Sequence, residues 1–130
     1  MSFRGLHEEP GAFIIPNPWD VGTARILAAM GFRALATTSA GMAFSLGVAE
    51  GRTAREAVLN HCRAIVAATP LPVSGDLEKG FGDSPESAAE TVRAAAGIGL
   101  AGCSLEDHTS RPDAPIYDFT LAVERIAAAA

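Results

Sequence analysis

Short apolar runs alternate along the chain with longer amphipathic stretches, a pattern that predicts strands followed by helices. The predicted strands, some running into loops, cover residues 13–19, 33–39, 71–82 and 99–108. The predicted helices cover residues 21–31, 53–69, 84–99 and 118–130, and a long loop is expected over 40–52. Strands that alternate with helices form parallel sheets through right-handed crossovers. The fold class is therefore α/β, with four parallel (β/α) units.

Capping residues mark the ends of these helices. Asp20 is predicted to cap the first helix, which closes at Gly31. Thr53 and Glu56 have the spacing of a capping box at the start of the second helix. In the third, Ser84 and Pro85 are placed as the cap and the first helical residue. The final run AVERIAAAA has no stop signal, which we read as the mark of a chain cut short.

Length limits the architecture to one unit. A closed (β/α)8 barrel needs about 250 residues, and a flavodoxin-like sheet needs about five strands. The 130 residues contain no linker or shift in composition, so residues 1–130 are predicted as a single (β/α)4 segment with the length of half a barrel. A complete flavodoxin-like binding domain is the less favoured alternative, because Asn17-Pro18-Trp19 is a poor phosphate loop.

Composition and charge exclude several classes of protein. With 48% apolar and 19% charged residues, the chain is too apolar to be disordered. No apolar run approaches the roughly 18–20 residues of a membrane helix, and no secretory signal is visible, so we expect a cytoplasmic protein. A net charge of −5 and a single lysine, Lys79, argue against nucleic-acid binding. Cys62 and Cys103 are too few for a disulfide framework or zinc site and are predicted as core thiols.

Acidic side chains follow the third and fourth predicted strands. On an extended chain Asp76 and Glu78 point the same way, and the same parity turns Glu106 inward on the neighbouring strand. Ser74 and Ser104 share the inward face, whereas Val73, Leu77, Cys103 and Leu105 face the helices. Three converging carboxylates repel one another unless a cation or proton separates them. Oxygen ligands suit a hard ion such as Mg²⁺, or Mn²⁺. Solvated loop acids are the alternative.

Small and hydroxyl-bearing residues close the second predicted strand. In the segment Thr37–Gly41, which includes Ser39 and Ala40, backbone amides can approach an anion of carboxylate size. A plain tight turn is the alternative and is favoured when the segment is taken alone. His108 is a candidate general base, although a histidine in such a loop is more often a surface residue.

Four motifs in order make the chain resemble the isocitrate lyase/phosphoenolpyruvate mutase superfamily. They are LHEEPGAFIIPNPWDVGTARIL, GFRALATTSAGMAFSLG, PVSGDLEKGFG and GLAGCSLEDH, followed by PIYDFTLAVERI. The resemblance covers nearly the whole chain but only the first half of a family member. It implies a (β/α)8 barrel, dependence on Mg²⁺ or Mn²⁺, and enolate chemistry on C–C or P–C bonds of small α-oxocarboxylates or dicarboxylates.

The resemblance also implies roles for individual residues. Asp76 corresponds to the acid that holds the metal directly, and Glu78 and Glu106 to acids that act through metal-bound waters. Ser39, Ala40 and Gly41 correspond to the segment whose amides hold the substrate carboxylate. Glu50 falls where the family carries a further acid, usually an aspartate, and with Glu106 and His108 is a candidate to move a proton.

One departure from the family pattern narrows the expected chemistry. Lyases of this family carry a cysteine in the loop after the fourth strand, whereas here the loop reads HTSRPDAPIYD. The sequence therefore argues against isocitrate or methylisocitrate lyase activity and favours lyase or phosphorylmutase-like chemistry without a cysteine acid. A non-catalytic half-barrel, which binds a metal or dicarboxylate or serves as an assembly partner, is the alternative. Open sheet edges lead us to expect that the sequence belongs to a longer chain or is an incomplete gene product, with pairing with another half as the alternative. A homo-oligomer is the predicted state.

Overall fold

A computed structural model describes residues 2–130, which form a parallel sheet of three strands with helices packed against it. The strands run in the order β1-β2-β3, and both neighbouring pairs are parallel. The predicted α/β class is thus confirmed. The elements are α1 (Phe3–Glu8), α2 (Val21–Ala29), β1 (Leu35–Ala36), α3 (Ser39–Ser45), α4 (Arg55–Ala68), β2 (Val73–Asp76), α5 (Pro85–Gly97), β3 (Gly102–Ser104) and α6 (Phe119–Ala129).

The register of the sheet gives each strand one face toward the helices. Asp76 pairs with Ser104, so these two residues share the face opposite the helices, as the parity of the strands predicts. Val73 and Leu77, on the other face, are fully buried against helical side chains. Alternation along β2 therefore separates a packed apolar face from a face that carries Asp76 to the carboxyl end of the strand.

The predicted first strand is wrong. Residues 12–18 have no regular secondary structure, and their backbone is linked to the sheet by the bond from the Ala36 N–H to the Pro16 carbonyl at 3.1 Å. Pro16 and Pro18 have no N–H to donate, so this segment cannot form a regular ladder. The Asn17 side chain supplies one further link by donating to the Ala36 carbonyl at 3.0 Å.

Helix boundaries agree with the sequence at two caps and differ at a third. Asp20 and Ser84 cap α2 and α5 through their side chains, as predicted. Helix α4 begins one residue later than expected, with Ala54 as its cap, so the spacing of a Thr53–Glu56 capping box is lost. Helix α1 was not predicted, and α3 lies in a segment predicted as a loop.

The core consists of apolar clusters between the sheet and the helices. Cys62 is fully buried beside Met42 and Val58, which confirms it as a core thiol. Cys103 is exposed, so its prediction as a core thiol is wrong. It pairs in register with Gly75 and so lies on the helix side, but β3 is the last strand of the sheet formed by residues 2–130. Within this range, no helix combines the length and apolar character needed to span a membrane.

His61 on α4 couples the packing of this helix to pH. The side chain is half-buried, and its Nε2 is buried without a hydrogen-bond partner. Burial lowers the pKa of His61 below 6.5, and the nearby Asp20 carboxylate opposes this only in part. The unfolded chain then binds the proton more readily, so stability falls as pH drops through 6.5 toward the folded-state pKa. Chemical unfolding of His61→Gln at pH 8 and pH 5.5 is expected to lack this part of the pH dependence. If the free energy of unfolding changed equally between pH 8 and pH 5.5 in the variant and the wild type, the prediction would be contradicted.

Candidate functional site

A polar cleft of about 520 Å³ opens at the carboxyl ends of the strands. It is lined by Glu50, Gly51, Arg52, Glu78, Lys79, Glu106, His108 and Ser110. Four residues singled out in the sequence, Glu50, Glu78, Glu106 and His108, therefore meet at one place although 58 positions separate the first from the last. Ends of parallel strands and the loops that follow them are the usual location of active sites in α/β folds.

Asp76 is not among the residues that line this cleft, and it joins three segments through hydrogen bonds. Its Oδ2 accepts from the Ser39 N–H at 2.8 Å, and its Oδ1 accepts from the Glu78 N–H at 3.2 Å. Its own N–H donates to Thr37 Oγ1 at 2.9 Å. The Ser39 hydroxyl extends the connection by donating to Glu50 Oε1 at 3.4 Å. Asp76 thus ties the start of α3 and the residue Glu78 to the end of β2.

Glu78 is the most unusual acid of the site. Its Oε1 is buried and has no hydrogen-bond partner, and its backbone is left-handed with φ of 49°. Burial raises the pKa of its carboxyl, and the carboxylates of Asp76, Glu106 and Glu50 raise that pKa further. A bond from the Glu106 N–H to the Glu78 carbonyl, 2.9 Å long, holds the two acidic segments side by side. Negative charge is therefore concentrated around Glu78, although the cationic residues Arg52 and Lys79 also line the cleft.

The donor set fits a hard divalent cation in part. All the acids offer oxygen ligands, and an unpartnered buried carboxylate oxygen is a group that a cation would satisfy. Among residues 2–130, however, no three His, Cys, Asp or Glu side chains are placed to ligate one ion together. Mg²⁺ commonly takes only one or two carboxylates directly and keeps its waters. One direct carboxylate with two acids acting through water is compatible with this arrangement.

The segment predicted to bind an anion contains the cap and the first turn of helix α3. Thr38 caps the helix and accepts from the Gly41 N–H at 3.2 Å, and Asp76 occupies the Ser39 N–H. Two of the three amides expected to hold a carboxylate therefore already have acceptors. The Ala40 N–H is one of the first-turn donors that have no partner within their helix. Gly41 packs tightly under Trp19, because a Cβ at Gly41 would lie 2.5 Å from Trp19 Cδ1.

Neutralising Glu78 is expected to stabilise the protein. Glu78→Gln removes a half-buried charge from among three other carboxylates, so the free energy of unfolding at pH 7 should rise by about 0.5–1 kcal/mol, a value reduced by solvent screening. Urea denaturation measures the change, with the exposed Glu124→Gln as a control that should stay within about 0.5 kcal/mol of wild type. A loss of stability in Glu78→Gln would show that the Glu78 charge has a favourable partner.

Sequence reasoning did not identify the cationic and hydroxyl groups of the cleft, Arg52, Lys79 and Ser110. The Lys79 ammonium is held by the Asp83 carboxylate at 2.8 Å and the Thr109 carbonyl at 3.0 Å. Lys79 directly follows Glu78, and Arg52 lies two residues after Glu50. Their closeness in sequence to two candidate acids was the signal that could have identified Lys79 and Arg52 as residues of the cleft.

Sequence comparisons identify relatives over nearly the whole chain. An uncharacterised protein of Mycobacterium tuberculosis is 35% identical over 98% of this chain and 47% of its own length. A 2-methylisocitrate lyase of Salmonella typhimurium is 34% identical over 98% of this chain and 46% of its own length. The chain therefore spans about half the length of the curated relatives it matches.

Solved structures and a family match agree with these relatives. A candidate lyase/mutase from Burkholderia cenocepacia is 61% identical with a TM-score of 0.96, over 98% of this chain and 46% of the other. A 2,3-dimethylmalate lyase of the PEP mutase/isocitrate lyase superfamily is 32% identical with a TM-score of 0.87, over 97% of this chain and 45% of the other. An oxaloacetate acetylhydrolase in complex with oxalate is 26% identical with a TM-score of 0.85, over 95% of this chain and 44% of the other.

The family description that matches residues 3–130 is phosphoenolpyruvate phosphomutase. The chain therefore belongs to this family, within the isocitrate lyase/phosphoenolpyruvate mutase superfamily that its motifs predict, and its α/β fold matches the N-terminal part of that superfamily's structures.

Proposed function

We propose that this chain carries the cation-binding acids of a Mg²⁺- or Mn²⁺-dependent lyase or phosphorylmutase-like enzyme. Its substrate would be a small α-oxocarboxylate or dicarboxylate, and the reaction would break or form a C–C or P–C bond through an enolate. The observation that carries the proposal is the buried, unpartnered Glu78 oxygen among the carboxylates of Asp76, Glu106 and Glu50. Such a group is satisfied by a hard cation bound through oxygen.

The proposed roles follow the positions of the acids. Asp76 would hold the cation directly, and Glu78 and Glu106 would hold it through water. When bound, the cation supplies charge stabilisation for the oxygen of an enolate. Glu50, Glu106 and His108 line the cleft and would be the groups that move a proton.

In the α3 turn, the Ala40 N–H is the amide available to a substrate carboxylate, because Ser39 and Gly41 donate elsewhere. Thr37 would act on the site indirectly, through its bond to the Asp76 backbone.

The relatives support the substrate class without naming the substrate. Their names refer to lyases of 2-methylisocitrate and 2,3-dimethylmalate and to a hydrolase of oxaloacetate, all compounds with two or more carboxylates. The loop after β3 has no cysteine between His108 and Asp118, so any proton donor there must be another group. This favours chemistry in which the proton moves through Glu50, Glu106 or His108.

Calorimetric titration of the 130-residue chain with oxalate tests the proposal. Oxalate mimics the enolate of pyruvate, and it should bind in the presence of Mg²⁺ and fail to bind when EDTA replaces the metal. Acetate, which has one carboxylate, serves as the control ligand and should bind in neither condition. Failure of a folded sample to bind oxalate with Mg²⁺ would refute a working site in this chain.

A second candidate function is assembly, and it rests on a different surface. An apolar groove of about 710 Å³ runs between the end of β3 and helix α6, where Phe119 is 80% exposed and Val123 and Ile126 are half-exposed. Exposed apolar surfaces of this kind mark interfaces. We propose that this face is covered by a second copy of the chain, which would bury Phe119, Val123 and Ile126. Sedimentation of the isolated chain tests this: a dimer supports the proposal and a monomer refutes it.

A further inference from the structure

A buried arginine on the last helix reaches the loop that carries the site acids. Arg125 in α6 is only 2% exposed. Its guanidinium donates to the carbonyls of Gly82 at 2.8 Å and Ser84 at 3.3 Å, and also to the carbonyl of Lys79. The planar guanidinium presents donors in a fixed fork, so three backbone carbonyls are held at once. The residues held in this way begin directly after Glu78.

The same guanidinium is connected to the loop after β3. It lies over the Tyr117 ring, 4.4 Å from the ring centroid, in a cation–π contact. The Tyr117 hydroxyl donates to Asp83 Oδ1 at 2.6 Å, and Asp83 also binds Lys79, whose ammonium donates to the Thr109 carbonyl. Burial and the bond to Asp83 raise the pKa of Tyr117 to about 12, so the hydroxyl keeps its proton.

Backbone hydrogen bonds carry this connection to the two acids themselves. The Tyr117 N–H donates to the Asp107 carbonyl at 2.9 Å, directly beside Glu106. The Glu106 N–H donates in turn to the Glu78 carbonyl at 2.9 Å. Each acid is therefore adjacent in sequence to a segment that Arg125 holds, directly or through Tyr117.

We propose that Arg125 is a positioning residue: by fixing the loops after β2 and β3, it sets the spacing of Glu78 and Glu106 at the cation site. The identity of the bound ion in this inference rests on the proposed function. The geometry of the two loops is defined by the contacts of Arg125 and is independent of the proposed function. The hydrogen bonds of the Arg125 guanidinium go to the carbonyls of Lys79, Gly82 and Ser84 and not to either carboxylate, so the proposed effect passes through the loop backbone.

The test compares Arg125→Met and Arg125→Lys with wild type by calorimetric titration with Mn²⁺ in the presence of oxalate. Loss of a group that orients metal ligands typically weakens metal affinity by about 10- to 100-fold, and we expect that loss in Arg125→Met. Arg125→Lys should not restore affinity, because one ammonium cannot hold three carbonyls in a fork. Ile65→Ala, buried in α4 away from both loops, is the control for lost stability and should keep Mn²⁺ affinity within about twofold.

Amide hydrogen exchange provides a second readout that needs no metal. In Arg125→Met the Glu106 and Tyr117 amides should exchange about tenfold faster or more, whereas the Ala101 amide, which bonds the Val73 carbonyl in the sheet, should keep its wild-type rate. Wild-type Mn²⁺ affinity in a folded Arg125→Met, or equal acceleration of all three amides, would overturn the positioning role. If wild type itself binds no Mn²⁺, the proposed function fails, and the exchange rates alone decide whether Arg125 positions the loops.

Tyr117→Phe keeps the test informative if Arg125→Met does not fold. This variant retains the aromatic ring under Arg125 and removes only the hydroxyl bond to Asp83. Exchange at the Glu106 amide should rise by a smaller factor than in Arg125→Met. An unchanged rate at Glu106 and unchanged Mn²⁺ affinity in this variant would contradict the inferred connection between the two loops.

Discussion

Asp76→Asn is expected to abolish Mg²⁺-dependent binding of oxalate, lowering the affinity by more than about 100-fold. Two effects combine in this variant. The charge proposed to hold the cation directly is lost, and one of the two oxygens that accept from Ser39 and Glu78 becomes an amide donor. The two backbone N–H groups then cannot both find an acceptor on residue 76, which also loosens the start of α3. Calorimetric titration with oxalate and Mg²⁺ measures the loss.

Asp113→Asn is the matched control for this experiment. Asp113 is exposed in the loop after β3 and does not line the cleft, so the same change of charge there should leave oxalate affinity within about twofold of wild type. Circular dichroism of both variants establishes that they are folded. Undiminished Mg²⁺-dependent binding in folded Asp76→Asn would refute Asp76 as the direct metal ligand.

Leu77→Ala is expected to reduce the free energy of unfolding by about 2–5 kcal/mol. Leu77 is fully buried with Leu59 and Ala95, so truncation leaves a cavity between the sheet and helices α4 and α5. Its position between Asp76 and Glu78 means that this apolar anchor also fixes the direction of both acids. Few single changes in a domain of this size cost as much.

Urea denaturation of Leu77→Ala and of Leu46→Ala measures the difference. Leu46 is 60% exposed at the end of α3, and its truncation should change stability by about 0.5 kcal/mol or less. A loss below about 1 kcal/mol in Leu77→Ala would indicate that the site collapses around the smaller side chain. The helix-facing packing of β2 would then be looser than the structure shows.

The local features of this fold could be predicted from sequence because their causes are local. Asp20 and Ser84 cap helices through bonds to residues three positions away, and the alternation along β2 separates Val73 from Asp76. The first predicted strand failed because apolar character alone does not form a ladder when Pro16 and Pro18 lack the N–H. The capping box at Thr53 failed because one residue of shift in the helix start destroys its spacing.

The same difference between local and long-range causes applies to the candidate site. Glu78 and Glu106 both line the cleft, as expected from the rule that parallel strands end at one edge. The argument from strand parity does not hold for Glu78, which lies beyond the end of β2 with a left-handed backbone. The occupation of the Ser39 N–H by Asp76 joins residues 37 positions apart, so no local pattern reveals it. The contact of Arg125 with Gly82 spans 43 positions and depends on how α6 packs against α5. The only feature of the sequence that pointed to this contact was a single arginine in an apolar, alanine-rich helix.

The difference in exposure between the two thiols allows the β3 edge of the sheet to be probed by chemical labelling. Cys103 lies exposed on β3, whereas Cys62 is enclosed in the core beside Thr37. Burial raises the pKa of both thiols, so the difference in their reactivity comes from access to the solvent. A maleimide dye would therefore label Cys103 first, in the native protein and without any engineered residue. Protection of Cys103 from labelling would then report directly that another polypeptide segment has covered this edge.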